Sequence, residues 1–168
     1  SGGNGTILHL AAQMYVDEAG GKARHIPYKG VGPMVTDLIG GQVQYSFDTM
    51  TAATPHVKSG KLIAVAQTRT ARSKAYPNVP TVAEAGFPGF DATTWYGLIA
   101  PAKVNAAYVK RLNEDVNKIL AMPEVVERLG ASGAEDSGGT PERFAEFMQS
   151  ERVKYAKLVK EAGIKIES

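Results

Sequence analysis

The feature that most constrains this chain is a repeated punctuation, in which an amphipathic helical segment, a glycine stop and a short apolar run follow one another twice. Over 6–19 the residues Leu8, Ala11, Ala12, Tyr15, Val16 and Ala19 recur at helical spacing, and Gly20-Gly21 stops them. The stretch 24–28 reads as short and extended, Lys29-Gly30-Val31-Gly32 as a turn, and Pro33 suits the first turn of a helix through Met34, Val35, Leu38 and Ile39 to Gly40-Gly41. Val43, Tyr45 and Phe47 then alternate with polar neighbours, which predicts a strand delivering Asp48 and Thr49 at its C-terminal end. A short helix over 55–58, closed by Gly60, leads to Leu62-Ile63-Ala64-Val65-Ala66, the compact run of a strand buried in a parallel sheet. Alternating strands and helices of this kind predict an α/β fold.

The segment 68–94 is rich in turn formers and holds Pro77, Pro80 and Pro88, so it reads as a surface connection with one short helical piece over 81–85. Trp95 to Ala100 reads as a strand ended by Pro101. Two helices follow, one built on Tyr108, Leu112, Val116, Ile119 and Leu120 with a continuation over 123–129. The other opens on Thr140-Pro141-Glu142, a cap residue before a first-turn proline, and is expected to bury Phe144, Phe147, Met148, Tyr155, Leu158 and Val159. The composition permits this: 168 residues with 43% hydrophobic content suffice for a core. A net charge of +2, with both signs interspersed, gives no basic patch for nucleic acid or an anionic membrane. Without cysteine there are no disulfides or thiolate metal sites, and no apolar run is long enough to span a membrane as a helix.

The opening stretch Ser1-Gly2-Gly3-Asn4-Gly5-Thr6 can approach a ligand with its main chain, and the helix behind it offers unpaired N–H groups and a positive dipole end. That suits an anion. A carboxylate fits better than a phosphate, because neither a Gly-Lys-Ser/Thr loop nor a G-x-G-x-x-G register follows. The same residues also make a plain capping turn, with Asn4 or Thr6 as the cap. His9 is near enough to lend a donor to a bound anion, or serves as a structural histidine; His25 and His56 read as surface or packing residues. Spacing among the three gives no metal signature, so neither a metal nor a cofactor is expected. Asp48 stands at a strand end, where α/β sheets place ligands, or else caps the next helix in competition with Thr49 and Thr51. Lys29 and Arg69 are candidate counter-charges, while Tyr28, Trp95 and Tyr96 are candidate pocket walls or core residues. No Gly-x-Ser-x-Gly elbow, cysteine or carboxylate pair beside a histidine points to catalysis.

Several stretches taken in order resemble one family. They are Ser1 to Ala11, His25-Ile26-Pro27-Tyr28-Lys29-Gly30-Val31-Gly32-Pro33, Asp37 to Asp48, Pro55 to Leu62, Pro77 to Phe90, Trp95 to Ala102, Leu112-Asn113 and Gly138 to Glu142. Together they look like the solute receptors of tripartite tricarboxylate transporters, the Bug-type receptors. The resemblance implies a periplasmic binding protein of type II, with two α/β lobes of mostly parallel sheet closing on a small carboxylate such as a di- or tricarboxylate or an aromatic acid. It implies no enzyme chemistry, delivery to membrane transporter subunits, and a periplasmic location with a signal peptide expected upstream of Ser1. By the same resemblance Ser1, Gly2, Gly3, Asn4, Gly5 and Thr6 are the ligand loop of the second lobe, and His9, Tyr28, Lys29 and Asp48 lie near the cleft. The second lobe would span 1–93, and 94–168 would be the helical part returning to the first lobe. The family's initial stretch, which forms much of that first lobe, has no counterpart here, so a fragment with an incomplete cleft, exposed apolar surface and self-association is expected. A soluble metabolite-sensing or protein-interaction α/β domain without a transport role, or a carboxylate-processing enzyme, remains the alternative.

Overall fold

The computed structural model describes residues 1–135 and 138–164, which form six helices joined by turns and extended chain. Helix α1 (Ile7–Glu18) follows the opening turn with Thr6 as its N-cap; the Thr6 hydroxyl accepts the His9 N–H, one of the donors that every helix start leaves unmatched. In α2 (Val31–Ile39), Pro33 lies in the first turn, where a missing N–H costs nothing. Helix α3 (Met50–Lys58) begins earlier than its sequence suggests, because Thr49 caps it by accepting the Ala52 N–H and Pro55 then lies inside it. Helices α4 (Ala106–Leu120), α5 (Pro123–Ala131) and α6 (Pro141–Glu161) fall where their spacing puts them, and Thr140 accepts the Arg143 N–H ahead of Pro141. Asn117 joins α4 to that cap: its amide donates to the Gly139 carbonyl at 2.9 Å and its carbonyl accepts the Gly139 N–H at 2.7 Å.

The expected strands are where the structure departs from the sequence pattern. One isolated parallel bridge pairs Gln67 with Thr81, while 43–47, 63–66 and 95–100 carry no ladder hydrogen bonds. A ladder forms only where a second extended segment stands in register alongside. None does so for these segments among the described residues, and Ile63 and Val65 are left 87% and 78% exposed. The helical piece expected over 81–85 is a run of turns. It has a reciprocal capping box, with the Thr81 N–H on the Glu84 carboxylate and the Glu84 N–H on the Thr81 hydroxyl, yet Gly86 at φ 117° reverses the chain at once.

The proline-rich connection expected at the surface instead supplies the middle of the core. Ala11 of α1 is buried against Val82, Phe90 and Ala92, with Met14, Tyr15, Phe47, Ala66 and Phe87 around them, and Phe90 is only 1% exposed. Gln67 makes this burial tolerable. Its side chain donates to the Tyr76 and Val79 carbonyls and accepts the Ser73 N–H, so the polar atoms of a buried turn are matched.

Beyond Thr93 the pattern changes. Trp95 meets Phe144 and Phe147 edge-on, and its indole N–H donates to Glu151 at 3.3 Å, while Lys154 bridges Glu151 and Asp91. A Cβ at Gly97 would run into the Phe144 ring. The apolar residues expected to be buried by α6 are only half-buried, or exposed in the case of Phe147; the one buried side chain of that helix is Glu151. Helices α4 and α5 bury none. Val109, Val116, Leu120, Val125 and Leu129 are only half-buried there, and Tyr108, Leu112 and Val126 stay open to solvent, as do Leu98 and Ile99 before them, which the resemblance led one to expect.

Candidate functional site

The opening loop is fixed by main-chain bonds to a distant segment. The Ser1 nitrogen donates to the Ile26 carbonyl at 3.0 Å, the Tyr28 N–H donates to the Ser1 carbonyl at 3.0 Å, and the Gly30 N–H to the Gly2 carbonyl at 2.9 Å. Close approach explains two of the glycines. A Cβ on Gly2 would stand 3.2 Å from the Val31 side chain, and one on Gly3 would stand 3.2 Å from that of Thr6. Gly5 adopts φ 70°, a left-handed conformation that suits glycine. The Thr6 hydroxyl donates to the Gly3 carbonyl at 2.8 Å, closing the turn directly before α1. At the start of that helix the N–H groups of Ile7 and Leu8 have no acceptor among the described residues, which leaves two donors and the positive end of the dipole beside the loop.

Two histidines stand behind the loop. The Gly5 N–H donates to His9 Nδ1 at 3.1 Å, so that nitrogen carries no proton, and the Ser1 hydroxyl lies 2.7 Å from His25 Nε2. Their rings stack at 3.8 Å with an interplanar angle of 8°. Burial lowers both imidazoles from their ordinary value; for His25, with the neighbouring His9 ring and the terminal amino charge added, the value falls to about 4. His9 therefore accepts a loop N–H rather than lending a donor through that nitrogen. His25, read from sequence as a surface or packing residue, is part of the loop's support. No local pattern encodes this, because the contact depends on the long-range pairing of Ser1 with Ile26 and Tyr28.

Asp48 does not cap α3; Thr49 does. The Asp48 Oδ1 accepts the Thr49 N–H at 2.7 Å, and Oδ2 is buried without a partner among the described residues. Burial pushes this carboxyl above the usual range, against the opposing pull of the Thr49 N–H, His56 and the Ser1 amino group, which places Asp48 within electrostatic reach of the loop. Asn4 is exposed at the tip of the turn and Lys29 is exposed beside Gly30. The Tyr28 hydroxyl donates to Asp37 at 2.8 Å. Arg69 is already engaged, with both terminal nitrogens on the Glu135 carboxylate at 2.7 Å. Neither Trp95, packed on α6, nor Tyr96, 86% exposed, walls the loop.

A cavity of about 500 Å³ opens beside Ser1, lined by His9, His25 and Tyr28 and by 42–47, but Gly2 to Thr6 do not line it. Among the described residues no group of side chains is arranged to hold a metal ion.

The family profile described as tripartite tricarboxylate transporter family receptor matches residues 1–164. A protein of Pseudomonas sp. strain P51 from the tcbD-tcbE intergenic region is 38% identical over 96% of this chain and 48% of its own length. BugT of Bordetella pertussis is 36% identical over 97% of this chain and 50% of its own. The solved structure of Rpa4515 from R. palustris with adipate aligns at a TM-score of 0.88 and 31% identity, over 95% of this chain and 54% of that one. This chain thus spans about half the length of the relatives it matches. Its backbone follows the type II α/β course of the periplasmic receptors, although 43–47, 63–66 and 95–100 lack the ladders of a sheet. The chain belongs to the tripartite tricarboxylate transporter receptor family.

Proposed function

We propose that Ser1 to Thr6 grip a carboxylate in a solute-binding receptor that captures a small organic acid and hands it to the membrane subunits of a tripartite transporter. One observation carries this reading: a glycine turn, pinned by Ser1 and Gly2, stands against two N–H groups at the start of α1 that have no acceptor among the described residues. A carboxylate there gains charge-assisted hydrogen bonds, each contributing about 1.5–3 kcal/mol. His9 fixes Gly5, and Tyr28, Lys29 and Asp48 border the same face. The adipate bound to Rpa4515 supports this substrate class. The receptor acts in the periplasm and performs no covalent step.

In this reading 1–93 is the lobe carrying the loop and 94–168 is the segment returning to the other lobe; its last four residues lie outside the described ones. The open apolar faces of α4 and α5 favour self-association, which light scattering at high concentration reads as multimers. The function is tested by mixing the protein with adipate and following the ligand by NMR. Broadened signals of unchanged adipate support a receptor; new product signals, or no response with any small carboxylate, overturn it.

A further inference from the structure

We infer that Asn4-Gly5 is a self-modifying site, at which His9 acts as the base that turns the Asn4 side chain into an aspartyl or isoaspartyl residue. An asparagine followed by glycine can close a succinimide ring, because the next main-chain nitrogen reaches its side-chain carbonyl carbon and glycine has no Cβ to obstruct the approach. The nitrogen attacks only as it loses its proton. In this loop that proton already rests on an acceptor: the Gly5 N–H donates to His9 Nδ1 at 3.1 Å, which is within the reach required of a general base. The proton lies in the peptide plane, whereas attack on Asn4 Cγ uses the lone pair perpendicular to it, so base and electrophile do not compete for one direction.

The step balances on this chain and water. The bond from Gly5 N to Asn4 Cγ forms while His9 Nδ1 takes the amide proton. His9 then returns that proton to the Asn4 amide nitrogen, the bond from Cγ to that nitrogen breaks, and ammonia leaves. Water opens the succinimide at either carbonyl and gives aspartate or isoaspartate. Asn4 is exposed at the tip of the turn, so water has access. The groups that face His9 are the stacked His25 ring and the Ser1 amino group, neither of them an acid, and burial also disfavours a charge on the imidazole, so His9 stays an acceptor at neutral pH. The product carries one more negative charge in the loop, and the isoaspartyl form lengthens its main chain by one carbon.

This inference goes beyond the receptor reading and needs no ligand. It is tested by incubating the protein between pH 6 and 8 and following the tryptic peptide Ser1–Lys22 by mass spectrometry, with fragmentation to locate the change. Isoaspartate at position 4 should accumulate at a rate nearly independent of pH, because an internal base replaces hydroxide. His9→Gln keeps an acceptor for the Gly5 N–H without a basic nitrogen, and should slow the reaction at least tenfold at pH 7 and make its rate rise about tenfold per pH unit. The parent in urea, where the fold no longer holds His9 on Gly5, should show the same steep profile. No isoaspartate at position 4 overturns the site. A steep profile in the folded parent, or an unchanged rate in His9→Gln, overturns the role of His9.

Discussion

Residues up to Ala92 form an apolar core, with Ile63 and Val65 left outside it, whereas those beyond Thr93 form none among the described residues. In the first region Leu8, Leu10 and Ala11 of α1, Met34 and Val35 of α2, and Val82, Phe90 and Ala92 of the connection are all buried. In the second, α4 is more strongly amphipathic than α1, yet neither it nor α5 buries a residue, and the buried side chain of α6 is an acid. The difference separates two decisions that are often merged. Period and caps determine where a helix forms, and both regions have them. Burial needs a facing surface: Phe90 and its neighbours fold back over α1 and supply a full one there, whereas beyond Thr93 the described chain supplies only partial cover, as where Trp95 meets Phe144 and Phe147.

The contrast is broken or sharpened most strongly at the core. Phe90→Ala should cost about 3–5 kcal/mol in urea denaturation, whereas Leu112→Ala, at a site 49% exposed, should stay within about 0.5 kcal/mol. Equal losses would mean that the second region has a core of its own. Glu151→Ala comes next. It strips a partner from the Trp95 indole and from Lys154, should cost about 1–3 kcal/mol, and should shift Trp95 emission to the red as α6 loosens.

Caps should not distinguish the regions. Thr49→Ala and Thr140→Ala each remove a hydroxyl that accepts a first-turn N–H, and each should cost about 1 kcal/mol. A much smaller loss at Thr140 would show that α6 needs tertiary support to exist at all.

A smaller effect is confined to the first region. His25 titrates near 6.5 unfolded and at about 4 in the fold, so its contribution is fully present above pH 6.5 and is lost as pH falls toward 4. The urea midpoint should therefore be lower at pH 4.5 than at pH 7. Asp48, raised in the fold, works in the opposite direction, so the His25→Phe variant isolates the histidine: its midpoint should fall less between the two pH values than the parent's.

Much of the helical frame was legible. Thr6, Thr49 and Thr140 each stand before a helix they cap, and Pro33 and Pro141 sit in first turns, because capping chemistry is local. The glycine loop was legible for the same reason, since close packing at Gly2 and Gly3 and the φ of Gly5 are written in residue type. What period and residue type do not contain is partnership. The run over 43–47 looks like a strand and that over 62–66 like a buried one, but a strand is completed by its neighbour, and Ile63 and Val65 stay open. Phe90 was hidden among turn formers because its burial depends on Gln67 matching the surrounding carbonyls. The stack of His25 on His9 depends on main-chain pairing across the fold.

The most direct test of the carboxylate grip is an amide chemical-shift map of the labelled protein titrated with adipate. The account predicts that Gly2, Gly3, Gly5, Thr6, Ile7 and Leu8 shift first and together, with α4 to α6 unaffected. Shifts confined to α4 to α6, or to 42–47 without the loop, would contradict it.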